Sequence, residues 1–231
     1  MAEREPAATI GAEALPDCPL CARLVAFRLS NRAAEPEWFN GAVPSFGTDD
    51  AADVRLLIVG LAPGLKGANR TGRPFTGDYA GDLLYETLLA YGFAQGRYLA
   101  RPDDGLTLRG CMITNAVRCV PPQNKPLPVE IATCRPFLAA RIATLPKLAA
   151  IVALGRIAHD STLAALGLRK SAFPFAHGAQ HAARPDVVLF DSFHCSRYNT
   201  NTGRLTTGMF QSVFATVREH LKASAQGRSK R

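Results

Sequence analysis

The sequence predicts an α/β protein whose central, mainly parallel sheet of four strands is flanked by helices. Short apolar runs alternate along the chain with amphipathic stretches, which is typical of a parallel sheet with helices on both faces. Each apolar run is rich in β-branched or aliphatic residues and ends at a glycine, asparagine or serine, as buried strands often do. Hydrophobic residues make up 47% of the 231 residues and charged residues 20%, which is ordinary for a domain with a full core.

The predicted elements follow one another in strand–helix order. Strands are predicted at residues 54–60, 111–116, 149–154 and 187–192. Helices are predicted, from apolar residues that recur with the period of an α-helix, at residues 81–91, 128–145, 156–166 and 206–221. We expect residues 17–221 to form a single domain, with a flexible N-terminus at residues 1–16 and a flexible basic tail at residues 222–231.

The charge and the cysteine content restrict the class of protein. A formal net charge of +8 favours a polyanionic partner, either nucleic acid or an anionic membrane surface, while a charge that only confers solubility stays open. The apolar runs fall short of the roughly 20 residues that a membrane span needs, and we expect no secretory signal. The six cysteines do not form the pattern of a secreted disulfide scaffold, so we expect a cytoplasmic protein with reduced thiols.

Two pairs of cysteines predict one metal centre. Cys18 and Cys21 form a C-x-x-C pair, and Cys119 and Cys134 flank a proline-rich segment. Four thiolates suffice for a tetrahedral zinc site and equally for a 4Fe-4S cluster, so these residues by themselves leave the metal open. A redox dithiol ranks lower, because Cys18 precedes the first predicted strand instead of opening a helix after one.

Three polar or glycine-rich segments follow predicted strands. They are the loop after Gly60, the segment that holds Asn115 and the segment that begins at His194. Because ligands bind outside the carboxyl ends of parallel strands, we expect these segments to converge on one site. The loop 60–78 is neither a Walker A loop nor a G-x-G-x-x-G fingerprint, but its glycines allow a planar ring or an anion to approach the backbone.

The same three segments carry a family resemblance. Residues 60–78 read GLAPGLKGANRTGRPFTGD, residues 114–126 read TNAVRCVPPQNKP, and residues 194–206 read HCSRYNTNTGRLT. With the C-P-L-C motif at residues 18–21, the chain resembles the iron–sulfur uracil-DNA glycosylases, and among them the family 5 branch, over about residues 18–220.

The resemblance implies a fold, a cofactor and an activity. It implies the three-layer fold of the uracil-DNA glycosylases and a 4Fe-4S cluster held by the four cysteines. The implied reaction is hydrolysis of the N-glycosidic bond of uracil in DNA, which leaves an abasic site, and many family 5 enzymes also accept hypoxanthine and xanthine. The implied partner is DNA that contains deaminated bases, and the implied state is a monomer in the cytoplasm with nucleoid-associated DNA.

Two residues depart from common patterns of these enzymes. Cys195 stands where the family usually has proline after the histidine of the third segment. Ala62 stands where many uracil-DNA glycosylases have a carboxylate or an asparagine, a departure that the family 5 branch shares. The usual water-activating group is therefore absent from its usual place.

The resemblance assigns roles that each have a structural alternative. Phe75 would stack on the extruded base, or would be a core aromatic. Asn115 would pair with the edge of uracil, or would only close a strand. His194 would stabilise the charge on the leaving base, or would be structural. Asp78 would position or deprotonate a water molecule, or would cap the following helix.

The complete set of candidate residues follows from these roles. The catalytic candidates are Asp78, His194 and Asn115. The base-binding candidates are Gly60, Ala62, Gly64, Phe75, Asn115 and His194. The DNA-binding candidates, which would otherwise belong to solvated charged loops, are Arg70, Arg73, Arg118, Lys125, Arg197, Tyr198, Asn199 and Arg204. Two other functions stay open, namely a non-catalytic nucleic-acid-binding protein with a structural metal site and an electron-transfer protein.

Overall fold

The computed structural model describes residues 11–48 and 50–228, and its elements follow the predicted strand–helix order. The described helices are α1 (Ala22–Ala34), α2 (Ala68–Thr71), α3 (Tyr79–Ala90), α4 (Pro128–Ala143), α5 (Arg156–Ala165), α6 (Arg197–Asn201) and α7 (Thr207–Arg228). The described strands are β1 (Phe46–Gly47), β2 (Leu56–Gly60), β3 (Ala94–Gln95), β4 (Thr107–Leu108), β5 (Cys111–Asn115), β6 (Ala150–Leu154), β7 (Gln180–Arg184) and β8 (Val187–Ser192).

The central sheet has the strand order β1-β5-β2-β6-β8-β7. Its four inner strands are parallel, and they are the four strands that the sequence predicts. The predicted number of four strands is wrong for the whole sheet, because β1 and β7 pair antiparallel at its two edges. Neither edge strand has the apolar run of a buried strand, since β1 has only two residues and β7 (QHAAR) is polar and largely exposed.

Helices cover both faces of the sheet, which confirms the predicted three-layer α/β fold. Along β2, Leu56 and Ile58 belong to the core cluster that includes the apolar residues of α3 and α7. The alternate residues Leu57 and Val59 belong to the cluster that includes the apolar residues of α4 and α5. All five residues of β2 are buried, because a strand with helices on both faces has no solvent side.

The N-terminal boundary differs from the prediction. Residues 11–16, which we expected to be flexible, contact the domain, since Ala14 is buried and Glu13 forms an ion pair with Arg118 at 3.1 Å. The preceding residues 1–10 belong to the same predicted flexible segment and lie outside the described residues.

The C-terminal boundary differs as well. Helix α7 continues to Arg228 instead of ending at Leu221, because the intervening residues are mostly good helix formers such as lysine, alanine and glutamine. Residues 229–231 of the predicted tail lie outside the described residues. Among the helices of the described ranges, none combines the length and the apolar character that a membrane crossing requires.

Candidate active site

A cleft of about 780 Å³ opens at the carboxyl ends of the parallel strands. Its lining includes residues of all three predicted segments, among them Ala62, Gly64, Phe75, Asp78, Asn115, His194, Arg197 and Tyr198. The parallel register accounts for this convergence, because it brings the ends of distant strands to one edge. A fourth wall, residues 154–157, follows β6 and was missed by the sequence analysis, although the same rule about strand ends applies to it.

Three side chains that line the cleft, Phe75, Asn115 and His194, lie close together near Gly60, and we call the space that they border the slot. Gly60 and Asn115 are the last, paired residues of β2 and β5, so the amide of Asn115 lies beside the backbone of Gly60. A Cβ atom on Gly60 would overlap Asn115 Oδ1 and would lie 2.6 Å from the Phe75 ring. The ring of Phe75 stacks with His194 at a centroid distance of 5.8 Å. The slot is therefore bounded by an aromatic ring, a carboxamide and an imidazole.

Phe75 is held in an uncommon backbone conformation. Its φ angle is 54°, in the left-handed region that bulky residues rarely adopt. Tyr98 Oη donates a hydrogen bond to the carbonyl oxygen of Phe75 at 3.2 Å. Gly81, in the first turn of α3, leaves the space for this carbonyl, because a Cβ atom there would overlap the oxygen. Non-glycine residues under such strain are concentrated at functional sites.

Asn115 combines burial with an unused acceptor. The residue is 3% exposed, and its Oδ1 atom has no hydrogen-bond partner within the part of the chain that the structure describes. A buried acceptor without a partner is costly, so such groups usually await a ligand or a water molecule. Because Asn115 also lines the cleft, its amide is a candidate to bind a ligand there.

Asp78 caps the following helix, as one of the two alternatives predicts, and it also lines the cleft. As the N-cap of α3, its Oδ1 atom accepts a hydrogen bond from the backbone of Gly81 at 3.3 Å. Its Oδ2 atom faces the loop, where it lies 2.7 Å from the position of a Cβ atom on Gly64 and overlaps that of one on Gly67. Burial raises the pKa of Asp78, while hydrogen bonds from the backbone of Gly81 and Ala80 oppose the shift. One carboxylate thus caps the helix and lines the cleft.

His194 follows the end of β8. Burial lowers its pKa to about 4, so the imidazole is neutral at pH 7 and has one N–H group to donate. Within residues 11–48 and 50–228, no protein group bonds to either ring nitrogen. Asn199 Nδ2 donates a hydrogen bond to the carbonyl oxygen of His194 at 2.8 Å. Asn199 therefore stabilises the loop of His194, whereas the sequence analysis placed it among the DNA contacts.

Cys195 belongs to the core and not to the cleft. It is fully buried, and its Sγ atom donates to the carbonyl oxygen of Ala80 at 3.4 Å. Burial raises the pKa of this thiol, which keeps it protonated. In place of a proline ring, Cys195 thus links the loop of His194 to the first turn of α3.

Two of the predicted DNA contacts are wrong. Arg73 is 5% exposed and binds both oxygens of Asp104, each at 2.8 Å. Arg118 is 1% exposed, and it contacts Ser45 Oγ at 2.9 Å and Glu13 at 3.1 Å. Because both guanidinium groups are buried and paired inside the protein, they have no surface to offer to a phosphate.

Other basic and aromatic residues do lie at the surface around the cleft. The exposed residues among the predicted DNA contacts are Arg70, Lys125, Arg197, Tyr198 and Arg204. The guanidinium groups of Arg197 and Arg204 lie over the rings of Tyr79 and Phe193, at 5.3 and 4.6 Å from the ring centroids. Lys66 and Arg156, which the sequence analysis did not select, also line the cleft.

The four predicted metal ligands line a second, small pocket. Cys18 lies before α1, Cys21 is the N-cap of α1, Cys119 follows β5 and Cys134 lies in α4. All four are free of disulfide bonds. The structure therefore brings together two pairs of cysteines that are far apart in the sequence.

The spacing and surroundings of these sulfur atoms test which metal they fit. A tetrahedral zinc site with Zn–S bonds of 2.3 Å requires sulfur atoms about 3.8 Å apart. Among the described residues, no three of these sulfur atoms lie within 4.8 Å of one another. The backbone of Arg118 donates to Cys134 Sγ at 3.3 Å, and the buried Arg28 donates to Cys119 Sγ at 3.7 Å. The sulfur atoms are spaced more widely than one zinc ion requires, and two of them accept hydrogen bonds from N–H groups. This arrangement fits a cluster of several irons better than one zinc ion.

Comparison with known proteins agrees with the geometry of the cleft. A family model described as the uracil DNA glycosylase superfamily matches residues 46–220. A type-5 uracil-DNA glycosylase of Thermus thermophilus is 46% identical over 207 residues, which cover 87% of this chain and 92% of that protein. Proteins of the same name from Mycobacterium tuberculosis and Pyrobaculum aerophilum are 39% identical over 210 residues and 37% identical over 204 residues. The match with the Mycobacterium protein covers 87% of this chain and 77% of that protein. The match with the Pyrobaculum protein covers 86% of this chain and 87% of that protein. The fold, the strand-end cleft and these matches agree, and the chain belongs to the uracil DNA glycosylase superfamily.

Proposed function

We propose that this chain hydrolyses the N-glycosidic bond between uracil and deoxyribose in DNA and leaves an abasic site. The observation that carries the proposal is the slot in which the unpartnered amide oxygen of Asn115 lies beside the stacked rings of Phe75 and His194. Membership in the superfamily and the similarity to proteins named type-5 uracil-DNA glycosylase support it.

The slot suits an extruded pyrimidine. The base must leave the duplex stack, since its glycosidic bond is otherwise inaccessible. Phe75 would then stack on the base, an interaction worth about 1–3 kcal/mol. Asn115 would bind the edge of uracil, because a carboxamide offers an acceptor for the ring N–H and a donor for the neighbouring carbonyl.

His194 would stabilise the leaving base. As the glycosidic bond breaks, uracil takes up negative charge on its carbonyl oxygens and on the ring nitrogen that was bonded to the sugar. A neutral imidazole can direct its N–H at a charged oxygen without giving up the proton. A preorganised donor of this kind contributes roughly 2.7–4 kcal/mol to the stability of a transition state.

Asp78 would act on the water molecule. Its Oδ1 atom is engaged as the helix cap, but its Oδ2 atom faces the glycine-lined part of the cleft. The raised pKa makes Asp78 a stronger base than an exposed aspartate once it is ionised. It would therefore compensate for the absence of a carboxylate at Ala62.

The exposed basic residues would hold the DNA. Arg70, Lys125, Arg197 and Arg204 would contact phosphates, and the 72% exposed Tyr198 would lie against the duplex at the rim of the cleft. These basic residues account for part of the net charge of +8.

We also propose that the chain acts as a monomer.

The substrate range of the proposal includes hypoxanthine and xanthine. Stacking on Phe75 does not depend on the identity of the base, and the cleft of about 780 Å³ has room for a purine. Both purines present an N–H beside a carbonyl, which the amide of Asn115 would bind as it binds uracil.

We further propose that Cys18, Cys21, Cys119 and Cys134 hold a 4Fe-4S cluster with a structural role. Its chemistry when bound is thiolate ligation that ties the segment before α1 to the loop after β5 and to α4. Anaerobically purified protein should contain about four irons and four sulfides per chain. One zinc ion per chain without iron would contradict the proposal.

The activity is tested with a labelled oligonucleotide that contains one uracil. Cluster-loaded protein is expected to convert the uracil to an alkali-labile abasic site, and the assay is repeated with hypoxanthine and xanthine. If the folded, loaded protein binds the DNA but excises none of these bases, the chain is a non-catalytic nucleic-acid-binding protein instead.

A Gly60→Ala variant is expected to lose at least about tenfold in excision rate while it remains folded. The added methyl group would displace the Phe75 ring, which lines the cleft and packs against the core, and the Asn115 amide, which also lines the cleft. Displacement of about 1 Å at a reacting site is enough for losses of this order. The measurement is kcat/KM on the uracil oligonucleotide, with Gly208→Ala, where a Cβ atom meets nothing within 4 Å, as the control. Equal rates for both variants would contradict the position assigned to the base.

An Asn115→Ala variant is expected to lose about 10- to 100-fold in uracil excision, because one or two hydrogen bonds to the base disappear. Its affinity for abasic DNA should change little, since that product has no base for the amide to bind. The two quantities are measured on the same preparation, with the exposed Asn201→Ala as the control. A parallel loss of excision and of abasic-DNA binding would indicate a folding role for Asn115.

A further inference from the structure

A buried cluster outside the cleft joins two histidines to one aspartate. His159 lies in α5, His181 in the edge strand β7 and Asp191 in β8. His159 Nδ1 lies 2.7 Å from Asp191 Oδ1, and His181 Nε2 lies 3.1 Å from Asp191 Oδ2. The three possible ligand atoms all lie within 4.8 Å of one another.

The contacts of His159 need a positive charge, which either a second proton on the ring or a metal ion can supply. Its Nε2 atom lies 2.9 Å from the carbonyl oxygen of Phe173, which only accepts hydrogen bonds, so Nε2 carries the hydrogen atom of a neutral ring. Its Nδ1 atom then presents a lone pair to the carboxylate of Asp191 at 2.7 Å. Two electron-rich atoms this close in a buried place repel each other unless a proton or a metal ion lies between them.

We propose that His159, His181 and Asp191 form a binding site for a divalent transition-metal ion of the zinc type. Two imidazole nitrogens and one carboxylate oxygen are a set of three ligands that zinc accepts, with a water molecule as the fourth. The bond from His159 Nε2 to a backbone carbonyl is the outer hydrogen bond that fixes the ring of a metal-binding histidine.

The surroundings of the cluster fit an ion that enters from one side. His159 and Asp191 are fully or almost fully buried, with exposures of 1% and 0%. The side chain of His181 is 11% exposed on the edge strand, so it offers an entry path and space for a water ligand. The rings of Phe175 and Phe173 pack edge-on against His159 and His181 and limit the access of water from the other sides.

The position in the fold links the cluster to the candidate active site. Asp191 precedes His194 by three residues on the same segment, and α5 begins at Arg156, which lines the cleft. An ion at the cluster would connect α5, β7 and β8 beneath the two walls of the cleft. It would be distinct from the centre at the four cysteines, which have no residue in common with it.

Equilibrium dialysis against zinc of the protein that contains its iron–sulfur centre tests the proposal. We expect one zinc ion per chain in addition to the iron, and an anomalous-scattering peak at the zinc edge between His159 Nδ1, His181 Nε2 and Asp191. A His181→Gln variant, which changes a partly exposed residue of an edge strand, should bind zinc at least about 100-fold more weakly, since loss of even an outer-shell partner costs about 10- to 100-fold. A His220→Gln variant, which changes a histidine of α7, should bind zinc as the wild type does.

Two outcomes would overturn the proposal. One is that the protein binds no zinc in addition to its iron. Nuclear magnetic resonance at saturating zinc would then show both nitrogens of His159 protonated, which would assign the positive charge to a proton. The other is undiminished zinc binding in the His181→Gln variant. Iron content and the circular dichroism spectrum verify that each variant is folded and contains the iron–sulfur cluster.

Discussion

An Asp78→Asn variant is expected to excise uracil about 10²–10⁴-fold more slowly than the wild-type protein while it unfolds at nearly the same temperature. The substitution keeps the helix cap, because an asparagine oxygen accepts the hydrogen bond from Gly81 as well as an aspartate oxygen does. It removes only the charge, and with it the base that would deprotonate or orient the water molecule. The excision rate and the melting temperature therefore separate the catalytic role of Asp78 from its capping role.

The pH dependence gives an independent measurement of the same group. Since burial raises the pKa of Asp78, the wild-type excision rate should rise with pH through a value above the ordinary range of an aspartate. The variant should lack this rise. The stability of the protein depends on pH in the opposite direction to the excision rate. The folded protein binds this proton more tightly than the unfolded chain does, so this contribution to stability is lost as the pH rises. Asp78 thus favours folding at low pH and disfavours it as the pH rises through the folded pKa. The variant should be at least as stable as the wild type at pH 7.

Asp82→Asn is the matched control for this experiment. Asp82 lies in the same first turn of α3 but is exposed and does not line the cleft. Its variant should retain the wild-type rate. A wild-type rate for Asp78→Asn would contradict the role assigned to Asp78. A backbone carbonyl group would then be the candidate for positioning the water molecule.

A His194→Ala variant is expected to lose about 10²–10³-fold in kcat, the usual cost of removing one preorganised donor to a developing anion. The change also removes the ring that stacks with Phe75 at 5.8 Å, so substrate binding should weaken as well. Single-turnover excision at saturating enzyme measures the chemical step apart from binding. His220→Ala changes a histidine remote from the cleft and serves as the control.

The charge state of His194 makes this prediction specific. Its pKa of about 4 lies below that of an ordinary histidine, so the ring stays neutral from pH 5 to pH 8 and should contribute no change in rate there. The folded protein binds this proton less tightly than the unfolded chain, so His194 costs stability as the pH falls from the unfolded pKa toward 4. The alanine variant should therefore tolerate acid better. A near-wild-type kcat in a folded variant, or a histidine-like change in the wild-type rate between pH 6 and pH 7, would contradict the role.

Several features were predictable because their signals are local. The four parallel strands are continuous apolar runs, and helices on both faces require such runs. Asn115 and His194 lie at or just after the ends of these strands, so their arrival at one cleft follows from parallel topology. The cysteines were recognisable as candidate metal ligands by their residue type and pairing, although their spacing did not distinguish zinc from iron.

Other features depend on which distant residues meet. Arg73 and Arg118 look like phosphate contacts in the sequence, yet Asp104 and Glu13 bind them inside the protein. The edge strands have no apolar run, since one is very short and the other faces solvent along much of its length. His159 and Asp191 are unremarkable in the sequence, and only the packing of α5 against the sheet brings them within 2.7 Å.

The α/β class, the parallel strands, the strand-end segments and the two cysteine pairs proposed to bind metal all follow from the sequence, because hydrophobic period and ligand type are properties of neighbouring residues. The folded arrangement was needed to show which arginines face solvent, that Asp78 both caps a helix and lines the cleft, and that two histidines contact Asp191. The physical reason is that the charge, burial and hydrogen bonding of a side chain are set by the groups around it, and here those groups come from distant parts of the chain.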